Sequence, residues 1–258
     1  MNEYIGTNPI VEVHNRSGNG RCLIVCEHAS NFIPDEYENL GLSADALTSH
    51  IAWDPGALAV ATRISALLDA PLVAQGASRL LYDCNRPPHE PSSIPARSEI
   101  YNVPGNEDLS EKERRRRTDR FYYPFRNALA AEIEKRATPP VIVTVHSFTP
   151  VYHGKQREVE IGILHDSDRR FADAVLAEAG KEGAFIVRRN EPYGPQDGVT
   201  HTLVEHALPR GLPNVMIEIR NDLIAQTESQ NAMAEQLAKW LENALNRLGL
   251  GLAARGTA

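Results

Sequence analysis

The sequence predicts an α/β fold in which a mainly parallel sheet carries helices on both faces. Short apolar runs alternate with segments of helical period along the chain, the pattern of strand–helix–strand units. Several runs, CLIVC and VIVTV among them, are apolar at nearly every position, as in strands buried on both faces. A third observation bears on use: four of the runs stop abruptly at polar or ionisable residues.

Cys22–Cys26 is the first strand. Ala57, Val60, Ala61, Ile64 and Leu68 recur on one face, so a helix is expected over Asp54–Leu68. Pro71–Gly76 and Ser78–Asn85 read as two short strands. From Arg86 to about Asp108 the chain is polar and proline-rich. The doubled proline in RPPHEPSSIP forbids a helix there, and a loop of this length in a compact domain tends to be functional. Ser110 and Glu113 form a capping-box signature at the head of a long helical segment, which Pro124 is expected to kink or interrupt. Val141–Val145 repeats the opening theme, a buried strand ending in a histidine, His146. Glu160–Asp166 is a further strand, followed by a helix over Asp168–Gly180. GAFIVRRNEPY reads as a strand running into a loop, HTLVEHALPRG as a short helix, and PNVMIEIRND as a strand with polar groups at its end. An amphipathic helix over roughly Ser229–Leu248 completes the pattern. With no internal repeat, low-complexity tract or evident boundary, one α/β domain over 1–258 is expected, its core at about 20–248.

A chain of 258 residues buries a sizeable core without needing disulfides or a metal to fold. Hydrophobic content of 42% with 24% charge is that of an ordinary soluble protein, and a net charge of −7 lacks the basic footprint of a nucleic-acid binder. The run Arg114–Arg117 is flanked by Glu111, Glu113 and Asp119 and reads as a solvated, salt-bridged helix face. Tyr122, Tyr123 and Phe125 beside it would cover a helix–sheet seam or a contact with a second copy of the chain, which leaves a homo-oligomer open. Cys22, Cys26 and Cys84 show no C-x-x-C spacing, and the first two lie in the buried strand, where a thiol acts as a small hydrophobe. The opening residues carry no basic segment followed by an apolar one, and no apolar run approaches the ~20 residues needed to span a bilayer. A cytoplasmic protein with no membrane partner is expected.

In open α/β sheets, ligands collect in the crevice at the carboxyl ends of the strands. Four runs here end in Glu27-His28, Asp83-Cys84-Asn85-Arg86, His146-Ser147 and Glu218-Ile219-Arg220. Histidine and carboxylate are zinc-type ligands, and catalytic zinc keeps three protein ligands with one open position. His28 and His146 supply nitrogen; Glu27, Asn31 and Asp54 are the candidates for the third ligand. Glu27 points away from its neighbour His28 on an ideal strand. Asp54 precedes Pro55 and Gly56 and is equally suited to capping the following helix. No G-x-S-x-G elbow and no phosphate-binding glycine loop is present.

The motifs EHAS, WDPGA, SRLLYDCNRP, HSFTP and IEIRNDL, in that order from about Cys22 to Leu223, resemble those of the N-formylglutamate amidohydrolase family, within the wider zinc carboxypeptidase-like and acylamino-acid deacylase group. DCNR is similar to the Asp-Leu-Asn-Arg signature of the deacylases. The resemblance implies a three-layer αβα sandwich with a mixed, mainly parallel sheet, and one zinc or other divalent ion per chain. It makes His28 and His146 metal ligands, Asn85 and Arg86 binders of a substrate carboxylate, and Glu218 the general base. Carboxypeptidase-like relatives use His-x-x-Glu, whereas this chain has Asn31 three residues after His28; Asp54 is taken as the third ligand, with Glu27 behind it.

The expected activity is hydrolysis of an N-formyl or other small N-acyl group from an amino acid such as N-formylglutamate. Such a substrate carries two carboxylates, which guanidinium forks bind bidentately. Arg86 is the first candidate for this role, with Arg79 and Arg220 next, unless they pair with Asp83 and Asp222. Ser147 and His201 are further candidates for substrate contact. The competing readings are a carboxypeptidase or cell-wall amidase, and a family member that binds a ligand but turns it over poorly.

Overall fold

The structure is a computed structural model that describes residues 9–181 and 183–251. The first eight residues, part of the stretch read for a targeting signal, lie outside it. Its central sheet has seven strands: β1 (Val11–His14), β2 (Cys22–Cys26), β3 (Leu72–Gln75), β4 (Val141–Phe148), β5 (Ile161–Leu164), β6 (Val187–Arg189) and β7 (Asn214–Arg220). They lie in the order β1-β3-β2-β4-β7-β5-β6. Strands β3, β2, β4 and β7 run parallel. β1 is antiparallel at one edge, and β5, with β6 parallel to it, runs against β7. The sheet is therefore mixed and mainly parallel.

The helices are α1 (Ala44–Thr48), α2 (Ala57–Leu67), α3 (Glu111–Arg117), α4 (Tyr123–Glu134), α5 (Arg170–Ala179) and α6 (Thr227–Arg247). Alternate strand residues feed two cores. Cys22, Ile24, Val143, Val145, Val215 and Ile217 pack against α2, α5 and α6. Leu23, Val25, Ile142 and Met216 face the other way, towards Phe121, Phe125, Leu129 and Ile133 of the α4 segment. This is the αβα sandwich, and it arises because each central strand is apolar on both faces. Among the described residues no helix is long and apolar enough to cross a membrane.

The chain leaves β2 towards β3 on one side, whereas β4, on β2's other side, leads on to β5 and β7. Successive connections thus diverge between β2 and β4, opening a crevice at the carboxyl ends of those two strands. His28 and His146 lie there.

Three local readings differ from the structure. Ser78–Asn85 is a coil of turns instead of a strand: Ser78 accepts from the N–H groups of Leu80 and Leu81, through its hydroxyl and its carbonyl. Its apolar side chains are buried all the same, which is why the run looks like a strand. β1, short and only half-buried, gave no strand signal. Arg117 is not on a solvated face: it is 3% exposed, donates to Asn106 Oδ1 (2.6 Å) and Gly105 O (2.9 Å), and lies over the Tyr37 ring. The expected interruption at Pro124 is a π-turn over Thr118–Tyr122. Proline has no N–H for the carbonyl four residues back, and the helix widens by one residue before α4 resumes.

Candidate metal centre and active site

The two-residue period of the strands sets the site. Leu23 and Val25 face the α4 side of the sheet, so Glu27 continues that face just past the end of β2. Ile142 places His146 on the same face of β4, and Met216 places Glu218 there on β7. Glu218 stands opposite His146 in the parallel register.

His28 and Asp54 come from turns at the same edge. The Asp54 N–H donates to the His28 carbonyl (2.9 Å), fixing one turn to the other. Asp54 does not cap α2 with its side chain. The helix is entered through Gly56 in the left-handed conformation, at φ 81°, which leaves the Asp54 carboxylate free to turn inwards. The Ser147 N–H donates to its Oδ2 (3.3 Å), and the Ser147 hydroxyl to the Pro55 carbonyl (2.9 Å), tying the end of β4 to this turn.

Three donor atoms converge. Asp54 Oδ2 is 2.9 Å from His146 Nδ1 and 3.3 Å from His28 Nδ1, and the two nitrogens are 3.2 Å apart. Ligands about 2.0–2.1 Å from a tetrahedral ion lie roughly 3.3 Å from one another. The triangle is of that size, and these residues form a group suited to a metal ion.

The far side of each imidazole explains why Nδ1 faces inwards. His28 Nε2 is 2.8 Å from Asp83 Oδ1, and His146 Nε2 is 3.0 Å from Glu27 Oε2. The hydrogen bond to Asp83 keeps a proton on His28 Nε2 and leaves its Nδ1 lone pair for a ligand, the outer partnership usual for metal-bound histidine. Glu27 stands at ion-pair distance from His146 Nε2 without hydrogen-bond geometry. Arg79 spans the two carboxylates on the His28 side, with Nη2 2.7 Å from Asp83 Oδ2 and Nη1 3.4 Å from Asp54 Oδ1.

Charge gives a second test of fit. Burial works against ionisation of Glu27, Asp54 and Asp83, but the imidazoles, and Arg79 for Asp83, outweigh it and hold all three carboxyls below their ordinary range. Burial likewise disfavours a charged His146, yet Glu27 and Asp54 hold its pKa well above the usual value; His28 is raised by Asp83 and Asp54 against burial and Arg79. With both imidazoles protonated the three carboxylates and Arg79 balance, and giving up those two protons so that both imidazoles can act as ligands leaves the cluster two charges negative. A divalent cation cancels that deficit.

Glu218 differs from its neighbours. It is as buried as they are, at 4% exposure, and its Oε2, like both carboxylate oxygens of Glu27, has no hydrogen-bond partner, but its carboxyl shifts the opposite way. Burial, aided by the charge of Asp54 and opposed by the imidazoles, pushes its carboxyl up to about 7. The group is thus poised to exchange a proton near neutrality.

The cluster opens into a cavity of about 570 Å³ lined by His28, Asp54, His146, Glu218 and Ser147, with Arg79, Asn85, Arg86, Arg157 and Tyr193 among the rest. Asn85 lines the wall but is engaged: its amide donates to the Val199 carbonyl (2.5 Å) and its Oδ1 accepts from the Thr202 N–H (2.9 Å). Arg86 donates to the carbonyls of Gly198 and Asn85. Arg220 is not among the lining residues. It lies against Asp222 and Glu160 and donates to the Arg157 carbonyl. His201 lies outside the cavity too, 2.8 Å from the Tyr122 hydroxyl, in a neighbouring pocket of about 430 Å³ that shares Arg86. Sequence reasoning missed Asp83 as the partner of His28, although its place two residues before Asn85 put it in view. It also missed Arg157 and Tyr193, whose loops carry no motif.

The family model described as N-formylglutamate amidohydrolase matches residues 20–225. Among solved structures, a gene product of Agrobacterium tumefaciens is 57% identical, with a TM-score of 0.90 over 93% of this chain and 96% of that one. An N-formylglutamate amidohydrolase from Ralstonia eutropha is 18% identical, with a TM-score of 0.66 over 93% of this chain and 99% of that one, a likeness of fold. No match was found among the curated proteins. With more than three quarters of its length matched by the family model, the chain belongs to the N-formylglutamate amidohydrolase family.

Proposed function

We propose that the protein is a zinc-dependent amidohydrolase that removes a formyl or other small acyl group from an amino acid, with N-formylglutamate as the leading substrate. The observation that carries this reading is the triangle of two imidazole nitrogens and one carboxylate oxygen, each histidine backed by its own carboxylate, beside a buried acid that titrates near neutrality. His28, His146 and Asp54 would hold the ion. When bound, zinc supplies a Lewis acid for the amide carbonyl and lowers the pKa of water to about 7.

The remaining work falls to the chain. Glu218 takes the proton of the attacking water and returns it to the departing nitrogen, so that formate and the free amino acid leave. Its raised pKa suits both proton transfers, since the carboxylate is basic enough to accept the proton and the acid strong enough to give it up. Asp83 and Glu27 keep the imidazoles oriented, and Arg79 holds Asp83 and Asp54 in place. Arg86 receives the substrate's α-carboxylate at the cavity wall.

Metal analysis and an acyl-amino-acid panel test the proposal together. One zinc per chain with release of formate from N-formylglutamate is expected. Glu218→Gln should keep the zinc and lose turnover by about a hundredfold or more, the usual worth of a general base. Full activity in that variant would remove Glu218 from the role. A protein without metal would sink the reading, and turnover of peptides alone would move it to a carboxypeptidase.

A further inference from the structure

The cavity holds three guanidiniums, and they are not equivalent. Arg79 is spoken for by two carboxylates. Arg86 and Arg157 donate instead to carbonyl and hydroxyl oxygens, and neither has a carboxylate within ion-pairing distance among the described residues.

Arg157 is the more elaborately mounted. Its Nη2 donates to the Tyr193 hydroxyl (2.9 Å) and its Nη1 to the Thr149 carbonyl (3.3 Å). The guanidinium carbon lies 4.5 Å from the centre of the Tyr152 ring, 4.9 Å from that of Tyr193 and 5.4 Å from that of Phe148. Its backbone is pinned as well, the N–H to the Pro150 carbonyl (2.8 Å) and the carbonyl to Arg220 Nη1 (3.2 Å). Aromatic rings hold a guanidinium in position without neutralising it. Of its five N–H donors, two serve Tyr193 and Thr149, leaving the others for a ligand. Tyr193 links this group to the reacting end of the cavity, since it feels the charges of both Glu218 and Arg157.

Two guanidiniums without acidic partners in one cavity match a substrate with two carboxylates. Arg86, three residues from Asp83 and so beside the metal cluster, suits the α-carboxylate, which lies close to the scissile amide. Arg157 reaches the cavity from a separate loop beyond the end of β4. We infer that Arg157 is the specificity determinant for an acidic side chain: its guanidinium, held among Phe148, Tyr152 and Tyr193, binds the side-chain carboxylate of an N-acyl glutamate. This rests on the amidohydrolase reading above and extends it to the choice of amino acid.

The test uses the full chain loaded with zinc, as wild type, Arg157→Gln and Arg157→Lys, on N-formylglutamate and N-formylglutamine, which differ in side-chain charge. Wild type should prefer the glutamate. Arg157→Gln should lower kcat/KM for N-formylglutamate by about a hundredfold, mainly through KM, and change N-formylglutamine by less than about threefold. Arg157→Lys keeps the charge without the fork and should retain part of the preference. No loss, or an equal loss on both compounds, overturns the assignment. If wild type turns over neither compound, the proposed function fails, and calorimetric binding of glutarate against butyrate decides on Arg157 alone. Arg157→Gln should then erase glutarate's advantage; an advantage that is absent in wild type or unchanged in the variant overturns the inference.

Discussion

Glu218 makes the fold less stable by placing an unpaired acid beside the His28–Asp54–His146 cluster. Its carboxyl ionises at about 7 in the folded chain, against an ordinary glutamate value of 4.5. Between those values the folded chain keeps a proton that the unfolded chain has released, so stability falls as pH rises through the window. The full benefit is present below 4.5 and is gone above 7, and the difference is on the order of 3 kcal/mol. In metal-free protein, Glu218→Gln should therefore melt at higher temperature than wild type at pH 8 and lose that advantage at pH 4.5. Scanning calorimetry at the two pH values checks it, and a constant offset would mean that burial is not what raises this acid. The sequence made Glu218 legible because an acid inside VMIEIR interrupts an apolar run. Asp83 and Arg157 were not legible as they act. Asp83 reaches His28 across 55 positions of chain, and Arg157 depends on three rings, one at the end of β4 and two from separate segments beyond it.

Among the elements, the strands were the easiest to read and the turns between them the hardest. A strand apolar at nearly every position is pinned by burial on both faces, and β2, β4 and β7 appear where their runs predicted. Ser78–Asn85 has the same composition but spends its backbone on turns, and composition cannot report hydrogen-bond partners. The start of α2 is a case where one residue sets the element and the site together. A Cβ on Gly56 would sit 2.6 Å from the Ile224 carbonyl oxygen and 2.9 Å from Ile224 Cδ1, at a positive φ that disfavours any side chain. Gly56→Ala should destabilise the protein by about 2 kcal/mol. Since Gly56 lies two residues from Asp54, the same change should weaken metal binding in a competition titration. Wild-type melting with wild-type affinity would show that this turn has slack the geometry denies.

On the scale of the whole molecule, the site sits where the strand connections diverge, and its donors come from distant parts of the chain: His28 after β2, Asp54 before α2 and His146 in β4. Holding them close packs three ionised carboxylates into the interior, of which Arg79 balances one, so the other two need protons on the imidazoles or a cation in their place. An ion bound only by the folded arrangement stabilises it by mass action, by about 4 kcal/mol at a thousandfold excess over its dissociation constant. For a chain of this size that corresponds to a rise in Tm on the order of 10 °C. Removing metal with a chelator should lower the Tm by that amount, and restoring zinc should return it. His146→Ala, which removes one of the three donors, should melt at nearly the same temperature with or without zinc. A wild-type Tm indifferent to both chelator and zinc would mean that the triangle of His28, Asp54 and His146 holds no ion, and that protons on the two imidazoles provide the compensating charge.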